Sequence, residues 1–364
     1  MKVSEVGSLG ALTQVSEQSN GGGSCNRPRV TFAVVAFRQE EFIREAIEGA
    51  FAQDYSPLEI LLSDDCSPDK TYALMEELVA SYRGPHKVLL NRNQNNLGIA
   101  GHINRVMEIA GGDLIVIAAG DDVSLPHRVS ETVSEALNEP AAYSLFGDLE
   151  FFGDEVSGNE RFRPDLSSHD LPQMIRVGGA KVAGPSHAWR REVFDVFGPL
   201  PSDAYSEDRV IPFRSALLGR VKWVPKVWAR YRLHDSSISS TNRYTVDLSV
   251  YNKARLAPFL RTAATFRSFQ LDLKTALRVG LISASDYEQY SRFVSAEAAQ
   301  LSKYIRAWDS SYLDRVACAF SILVNPSPYT GDSGMHRAAI FASACFPFLD
   351  RLYHKLVRVP RFPK

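Results

Sequence analysis

The sequence lacks both glycine-rich phosphate motifs of nucleotide-binding α/β proteins. No GxxxxGK[ST] occurs anywhere, and Phe37-Arg-Gln-Glu40 stands where a GxGxxG would follow the first strand. This excludes a P-loop triphosphatase and a dinucleotide-dependent dehydrogenase. Cysteine is scarce: Cys25, Cys66, Cys318 and Cys345 are scattered with no CxxC spacing, which excludes a zinc ribbon, a thioredoxin-type site and a disulfide framework, and points to a reducing cytoplasm. An excess of charge of one sign is also missing. Lys plus Arg is 41 against 42 Asp plus Glu, so the net charge of −1 gives no reason to expect nucleic acid as a partner. Long apolar runs are absent too. The most apolar segment, 338–349, falls well short of the roughly 20 residues that span a bilayer. Residues 1–27 hold no signal-peptide core ahead of the polar run 16–24 and read as a flexible N-terminal tail.

What is present is length, apolar content and a regular alternation. At 364 residues with 45% hydrophobic composition, the chain can bury one large core and a second, smaller one. Val30 to Phe37 is an apolar run of strand length, and Glu40 to Ala52 carries apolar residues at helical spacing. The alternation repeats: strand Leu58 to Leu62, helix Lys70 to Tyr82, strand Lys87 to Leu90, helix Ile99 to Ala110, strand Asp113 to Ala118. Strands apolar on both faces and joined by helix-length connections predict a mainly parallel central sheet with helices on both faces. Ligands of such sheets bind beyond the carboxyl ends of the strands. Polar clusters stand there: Ser63 to Asp69 after the second strand, Asn91 to Gly98 after the third, and Gly120-Asp-Asp122 after the fourth. Any one of them could be an ordinary turn or helix cap; their coincidence at one sheet edge favours a site. Residues 28–140 are thus read as a donor-binding part and 141–245 as an acceptor-side part, with a strand at Trp223 to Tyr231. Amphipathic segments Arg255 to Arg278 and Ser285 to Trp308 make 246–364 a separate C-terminal helical region.

With no glycine-rich loop to hold phosphates, a charge partner must come from elsewhere. Asp121-Asp122, at the end of a buried strand, can hold a hard divalent cation, Mn2+ or Mg2+, and that ion can bridge a diphosphate. The residues here resemble the nucleotide-sugar-binding domain of family 2 glycosyltransferases, an inverting family with the GT-A fold, a Rossmann-like α/β architecture. The carriers are Val30 to Phe37, Asp64-Asp-Cys-Ser-Pro-Asp69, Asn96 to Asn104, Gly120-Asp-Asp122, Glu207-Asp208 and Tyr231 to Ser239.

The resemblance implies nucleotide contacts at Phe37 (stacking on the base), Asp65 (base edge), Gly98, Asn104 and Asp121, with Asp122 the principal metal ligand beside Asp121. It implies that Asp208, paired with Glu207, is the catalytic base, and that His234 completes the metal or diphosphate site. His234 read without the resemblance is a histidine in a polar loop, and Asp208 a helix-terminal acid kept ionised by the macrodipole. His187 and Trp189 are candidates for acceptor-sugar contacts, with core packing the other reading of Trp189. Ala119 stands where the family usually has a third Asp, Arg38 replaces a common Asn, and Cys66 replaces a Gly, which is tolerable if its φ is negative.

The implied activity is metal-dependent transfer from a nucleotide-diphosphate sugar, UDP by default, to a saccharide or lipid-linked saccharide in bacterial-type surface-polysaccharide biosynthesis. Two rivals stand: a degenerate domain that only binds nucleotide or glycan, and a sugar-nucleotide hydrolase or nucleotidyltransferase. The basic, apolar-rich tail 337–361 either lies on the inner face of an anionic membrane or packs on the helical region.

Overall fold

A computed structural model describes residues 27–153, 170–180, 182–204, 206–234 and 248–308, with Ala317 and Ser321. The tails at 1–26 and 337–361 lie outside the described residues, and with them the expectations made for those segments.

The N-terminal half follows the expected alternation: β1 (Val30–Ala36), α1 (Ile43–Phe51), β2 (Leu58–Asp64), α2 (Thr71–Ser81), β3 (Lys87–Arg92), α3 (Gly98–Ile109) and β4 (Leu114–Ala119). Side chains along β1 alternate between two cores. Phe32 and Val34 pack with Ile43, Ile47 and Met75 on one face, and Ala33 packs with Ile103, Val106 and Trp189 on the other. A strand covered on both faces must be apolar throughout, which is why β1 reads as an uninterrupted run.

The chain continues through β5 (Val123–Ser124), α4 (Arg128–Asn138), β6 (Ala142–Phe152), α5 (Leu171–Val177), a 3-10 turn at Gly184–Ser186, β7 (His187–Arg190), α6 (Glu192–Phe197), α7 (Glu207–Leu218), β8 (Arg220–Arg232), α8 (Leu248–Arg278) and α9 (Ala284–Trp308). Among the described residues all eight strands form one sheet in the order β3-β2-β1-β4-β7-β6-β8-β5. Strands β3, β2, β1 and β4 are parallel, whereas β7 runs antiparallel to both β4 and β6, and β5 antiparallel to β8. The chain leaves β1 on one side through β2 and β3, then crosses to β4 on the other. That reversal opens a crevice at the carboxyl ends of β1 and β4.

The C-terminal helices do not form a core of their own. Phe266, Phe269, Leu273 and Leu301 of α8 and α9 share one buried cluster with Phe146 and Leu149 of β6, Met174 of α5 and Phe213 of α7. The Phe213 and Phe269 rings stack 3.8 Å apart. The segment read from periodicity as a separate region is therefore packed into the acceptor half, because its apolar stripe has no other partner among the described residues.

Candidate active site

The crevice is lined by the residues that follow each parallel strand. After β1, Phe37 is exposed, and the Arg38 guanidinium lies 5.1 Å from the centre of its ring. The Arg38 backbone N–H donates to Ser67 Oγ at 2.9 Å, which ties this loop to the one after β2. In that second loop Asp64 Oδ2 accepts from the Ser67 N–H at 3.0 Å. Asp65 is buried and holds the third loop: its Oδ1 accepts from Asn93 Nδ2 and the Leu97 N–H, both at 2.8 Å, and its Oδ2 from the Gly98 N–H at 3.0 Å. A carboxylate has about four lone-pair sites, so Asp65 keeps acceptor capacity after these three donors. Gly98 sits at φ +67°, which its lack of a Cβ permits. Cys66 sits at φ +60°, contrary to the expected negative value; it occupies the left-handed conformation that suits the family's glycine, at a cost of about 1–3 kcal/mol.

The acidic pair after β4 carries the strongest electrostatic demand. Asp122 is 2% exposed; its Oδ1 accepts from the Arg232 N–H at 2.9 Å, while its buried Oδ2 has no hydrogen-bond partner. Burial, reinforced by the Asp121 charge, raises its pKa well above the usual carboxylate range, against the opposing pull of Arg128 and Arg232. Asp121 Oδ2 lies 3.1 Å from His234 Nε2, and the His234 ring packs on Phe42 with centroids 4.5 Å apart. Sequence motif and geometry therefore bring Asp121, Asp122 and His234 to one place. An unpaired, buried carboxylate oxygen beside a second carboxylate calls for a cation, and the donor set fits a hard ion such as Mg2+ or Mn2+. Among the described residues no group of three or more His, Cys, Asp or Glu is placed to hold a metal ion, so Asp121, Asp122 and His234 do not by themselves form a three-ligand site. That is the usual situation for Mg2+, which is held by one or two carboxylates and completed by phosphate and water oxygens.

The second acidic pair approaches from the antiparallel half. The register Val116↔Ala188 runs the 3-10 turn Gly184–Ser186 beside the carboxyl end of β4. A Cβ on Gly184 would lie 3.7 Å from the Asp208 Cβ, so the first turn of α7 abuts this turn. Glu207 and Asp208 are both half-buried. Burial and then the Asp208 charge push Glu207 up to about 8, and burial raises Asp208 against the pull of Arg209 and its own backbone N–H bond. The helix-terminal position was expected to keep Asp208 an ordinary ionised acid; partial desolvation outweighs the terminus. A carboxylate of raised pKa is a stronger proton acceptor when ionised.

Three expected contacts move away from the site. Asn104 is spent on structure: its Nδ2 donates to the Leu200 carbonyl at 2.9 Å and its Oδ1 accepts from the Leu200 N–H at 2.7 Å. Trp189 is fully buried in the core of α3 and α6, and His187 is buried with its Nε2 3.0 Å from Ser144 Oγ. Burial and the neighbouring Arg128 depress His187 to about 3, so it is a neutral core imidazole. Both lie on β7, a short strand covered on both faces, so neither can meet an acceptor sugar. Sequence reasoning missed Arg128 and Arg232. Arg128 is fully buried and donates to Ser124 Oγ at 2.8 Å and to the Ile117 and His187 carbonyls, while Arg232 Nε donates to the Asp121 carbonyl at 3.0 Å. Their signal was thin: single arginines near the acidic pair and in the Tyr231-Arg-Leu-His234 run.

The model of glycosyl transferase family 2 matches residues 31–197. That match takes in just under half of the chain and the parallel half of the sheet. Among curated relatives, the uncharacterised protein Rv1520 of Mycobacterium tuberculosis is 26% identical over 206 residues, covering 56% of this chain and 58% of that protein. The chain thus spans under three-fifths of the mycobacterial relatives it matches. ExoO, a succinoglycan biosynthesis protein of Rhizobium meliloti, is 35% identical over 109 residues, 30% of each chain. Among solved structures, residues 1–349 of Staphylococcus aureus TarS in complex with UDP-GlcNAc give a TM-score of 0.53 at 14% identity, over 89% of this chain and 83% of that one. The mannosyltransferase PcManGT of Pyrobaculum calidifontis, in complex with GDP-Man and Mn2+, gives 0.50 at 18% identity, over 90% and 89%. This chain shares the GT-A fold of these structures.

Proposed function

We propose that the protein is a metal-dependent, inverting glycosyltransferase that moves a sugar from a nucleotide-diphosphate donor, UDP-linked by default, to a saccharide or lipid-linked saccharide of a surface polysaccharide. The observation that carries this reading is the pair of separate acidic sites on one crevice: Asp122 with an unpaired buried oxygen, and Asp208 at the start of a helix abutting the same sheet edge. Phe37, Asp65 and Gly98 hold the nucleoside, with the ring stacking on the base and the Asp65 carboxylate accepting from its edge. Asp121 and Asp122, with His234 beside them, would hold Mn2+ or Mg2+, which would supply charge neutralisation to the departing diphosphate. Asp208, with Glu207 beside it, takes the proton of the acceptor hydroxyl. The acceptor oxygen forms its bond to the anomeric carbon as the bond to the diphosphate oxygen breaks on the opposite face, so the anomeric configuration inverts.

The test is incubation with UDP-, dTDP- and GDP-linked hexoses and N-acetylhexosamines, with Mn2+ or Mg2+, in the presence and absence of an oligosaccharide mixture. Nucleoside diphosphate released only with acceptor, and abolished by chelator, supports transfer. Equal release without acceptor means a hydrolase, and binding without release means a degenerate module.

A further inference from the structure

Helix α7 carries Asp208 at its second position, yet it is poorly able to hold that residue by its own hydrogen bonds. Its Ncap, Ser206, makes no side-chain cap, and Pro212 stands inside the helix. Proline has no N–H, so the Asp208 carbonyl loses the donor that would otherwise bond it from position 212. The turn bearing the acidic pair is held at its start by the Arg209 and Val210 N–H groups on the Ser206 carbonyl and by Arg209 Nη1 on the Gly178 carbonyl, and past Pro212 it depends on what α7 packs against.

That support centres on Arg214, which is 1% exposed. Its Nε donates to both oxygens of the buried Asp272 on α8, at 3.1 and 3.0 Å. Its Nη1 donates to the Gly198 carbonyl at 2.7 Å and its Nη2 to the Pro199 carbonyl at 3.3 Å. The guanidinium also lies 5.8 Å from the Phe194 ring centre and 5.6 Å from that of Phe197. The 198–200 loop it grips is the same one that Asn104 of α3 clamps at Leu200. At the next residue, Ser215 Oγ lies 2.7 Å from Ser144 Oγ of β6. A continuous set of hydrogen bonds thus runs from the donor-side helix α3, through the 198–200 loop and α7, to the C-terminal helix α8.

We propose that Arg214 and Asp272 are positioning residues for the reaction assigned above: the buried pair lets α8 set the placement of Asp208 through α7. The C-terminal helices are by this reading a working part of the transfer site. The proposal rests on Asp208 being the base, so that assignment is tested alongside.

A buried ion pair adds little to net stability compared with an apolar pair of similar volume, whereas loss of one partner is severe. The Arg214→Met/Asp272→Leu double variant therefore separates positioning from stability. Compared with Asp272→Ala, it should regain most of the lost melting temperature. Turnover in the nucleotide-sugar assay should stay about 10- to 100-fold below wild type with donor KM within about twofold, because a small misplacement of a reacting group is costly while the nucleoside contacts lie elsewhere. Amide hydrogen exchange across residues 206–211 should be faster than wild type in the same variant, a readout independent of any substrate. The proposal is overturned if turnover recovers together with melting temperature, or if exchange across 206–211 stays at the wild-type rate. Asp208→Asn, run in parallel, distinguishes the two failures. High turnover in Asp208→Asn removes the base assignment, whereas an inactive Asp208→Asn beside an active double variant removes the brace alone.

Discussion

Replacing Asp122 by Asn tests the cation site with little disturbance of the fold. The amide keeps the Oδ1 acceptor for the Arg232 N–H and places a neutral group where the buried Oδ2 has no partner. Two electrostatic effects then oppose each other. Loss of the charge relieves repulsion with Asp121, and it deprives the fully buried Arg128 of an attraction that counters its desolvation. Each is on the scale of an unsatisfied buried polar group, about 1–3 kcal/mol, so the net change in stability without ligand should be under about 2 kcal/mol. The ligand-dependent increment is different. At a free concentration of a hundred times Kd, a ligand stabilises the folded state by about 2.7 kcal/mol, which is about 5–10 °C in melting temperature for a domain of this class. Wild type should show that increment with Mn2+ and a UDP-sugar together. Asp122→Asn should lose it while melting within about 5 °C of wild type without ligand. A Mn2+-dependent increment of wild-type size in the Asn variant would refute the assignment, however low its activity.

Asp208→Asn retains a good helix-terminal residue, so it should fold and bind donor normally but turn over about two to four orders of magnitude more slowly, measured by single-turnover kinetics with the product anomer read by NMR. Asn104→Ala should lower stability by about 1–3 kcal/mol, from two lost hydrogen bonds to Leu200, and leave nucleotide affinity unchanged in calorimetry. Glu207, raised from 4.5 to about 8, binds a proton in the folded state that the unfolded chain has released, so stability should fall as pH rises between those values; Glu207→Gln should flatten that slope in denaturant titrations.

The parallel half was legible because a strand buried on both faces writes its position as an unbroken apolar run. β1, β2 and β4 are such strands, and their ends fell within about two residues of expectation. The antiparallel half was harder to read. β6 is interrupted by Gly147, Asp148 and Glu150, and its pairing with β8 shifts register at Gly147/Asp148 and Asp148/Leu149. Gly147 is there because the Trp228 indole occupies the space of a Cβ, an approach that involves a residue 81 positions away. The same blindness to distant partners explains Asn104 and the β7 residues. The Asn96 to Asn104 motif located the loop correctly, but only the fold shows that its last amide faces Leu200, 96 residues on. His187 and Trp189 sit on four residues of strand, too few for periodicity to reveal that both faces are covered. Asp121-Asp122 are visible locally as carboxylates after a strand and Glu207-Asp208 as acids at a helix start; the arginines beside the first pair, buried Arg128 and half-buried Arg232, are not.

The two acidic pairs meet different needs, and that difference argues for their roles more strongly than their presence does. Arg128 and Arg232 oppose the burial of Asp122, Arg232 Nε bonds the Asp121 carbonyl, and the His234 ring is in hydrogen-bond reach of the Asp121 carboxylate. These lower the energy of the ionised pair without reaching Asp122 Oδ2, which remains unpaired. A buried carboxylate whose charged form is disfavoured by its surroundings, and whose second oxygen is unmatched, is relieved by a fixed cation. Glu207 and Asp208 have only Arg209 and helix N–H groups opposing their burial, and both keep contact with solvent. Such a pair suits a mobile proton, because desolvation raises proton affinity while the open side admits a hydroxyl group. Environments that separate two carboxylate pairs in this way separate their tasks. The topology then sets the distance between them: the cation pair ends β4 in the parallel half, and the proton pair begins α7 behind the Gly184 turn of the antiparallel half.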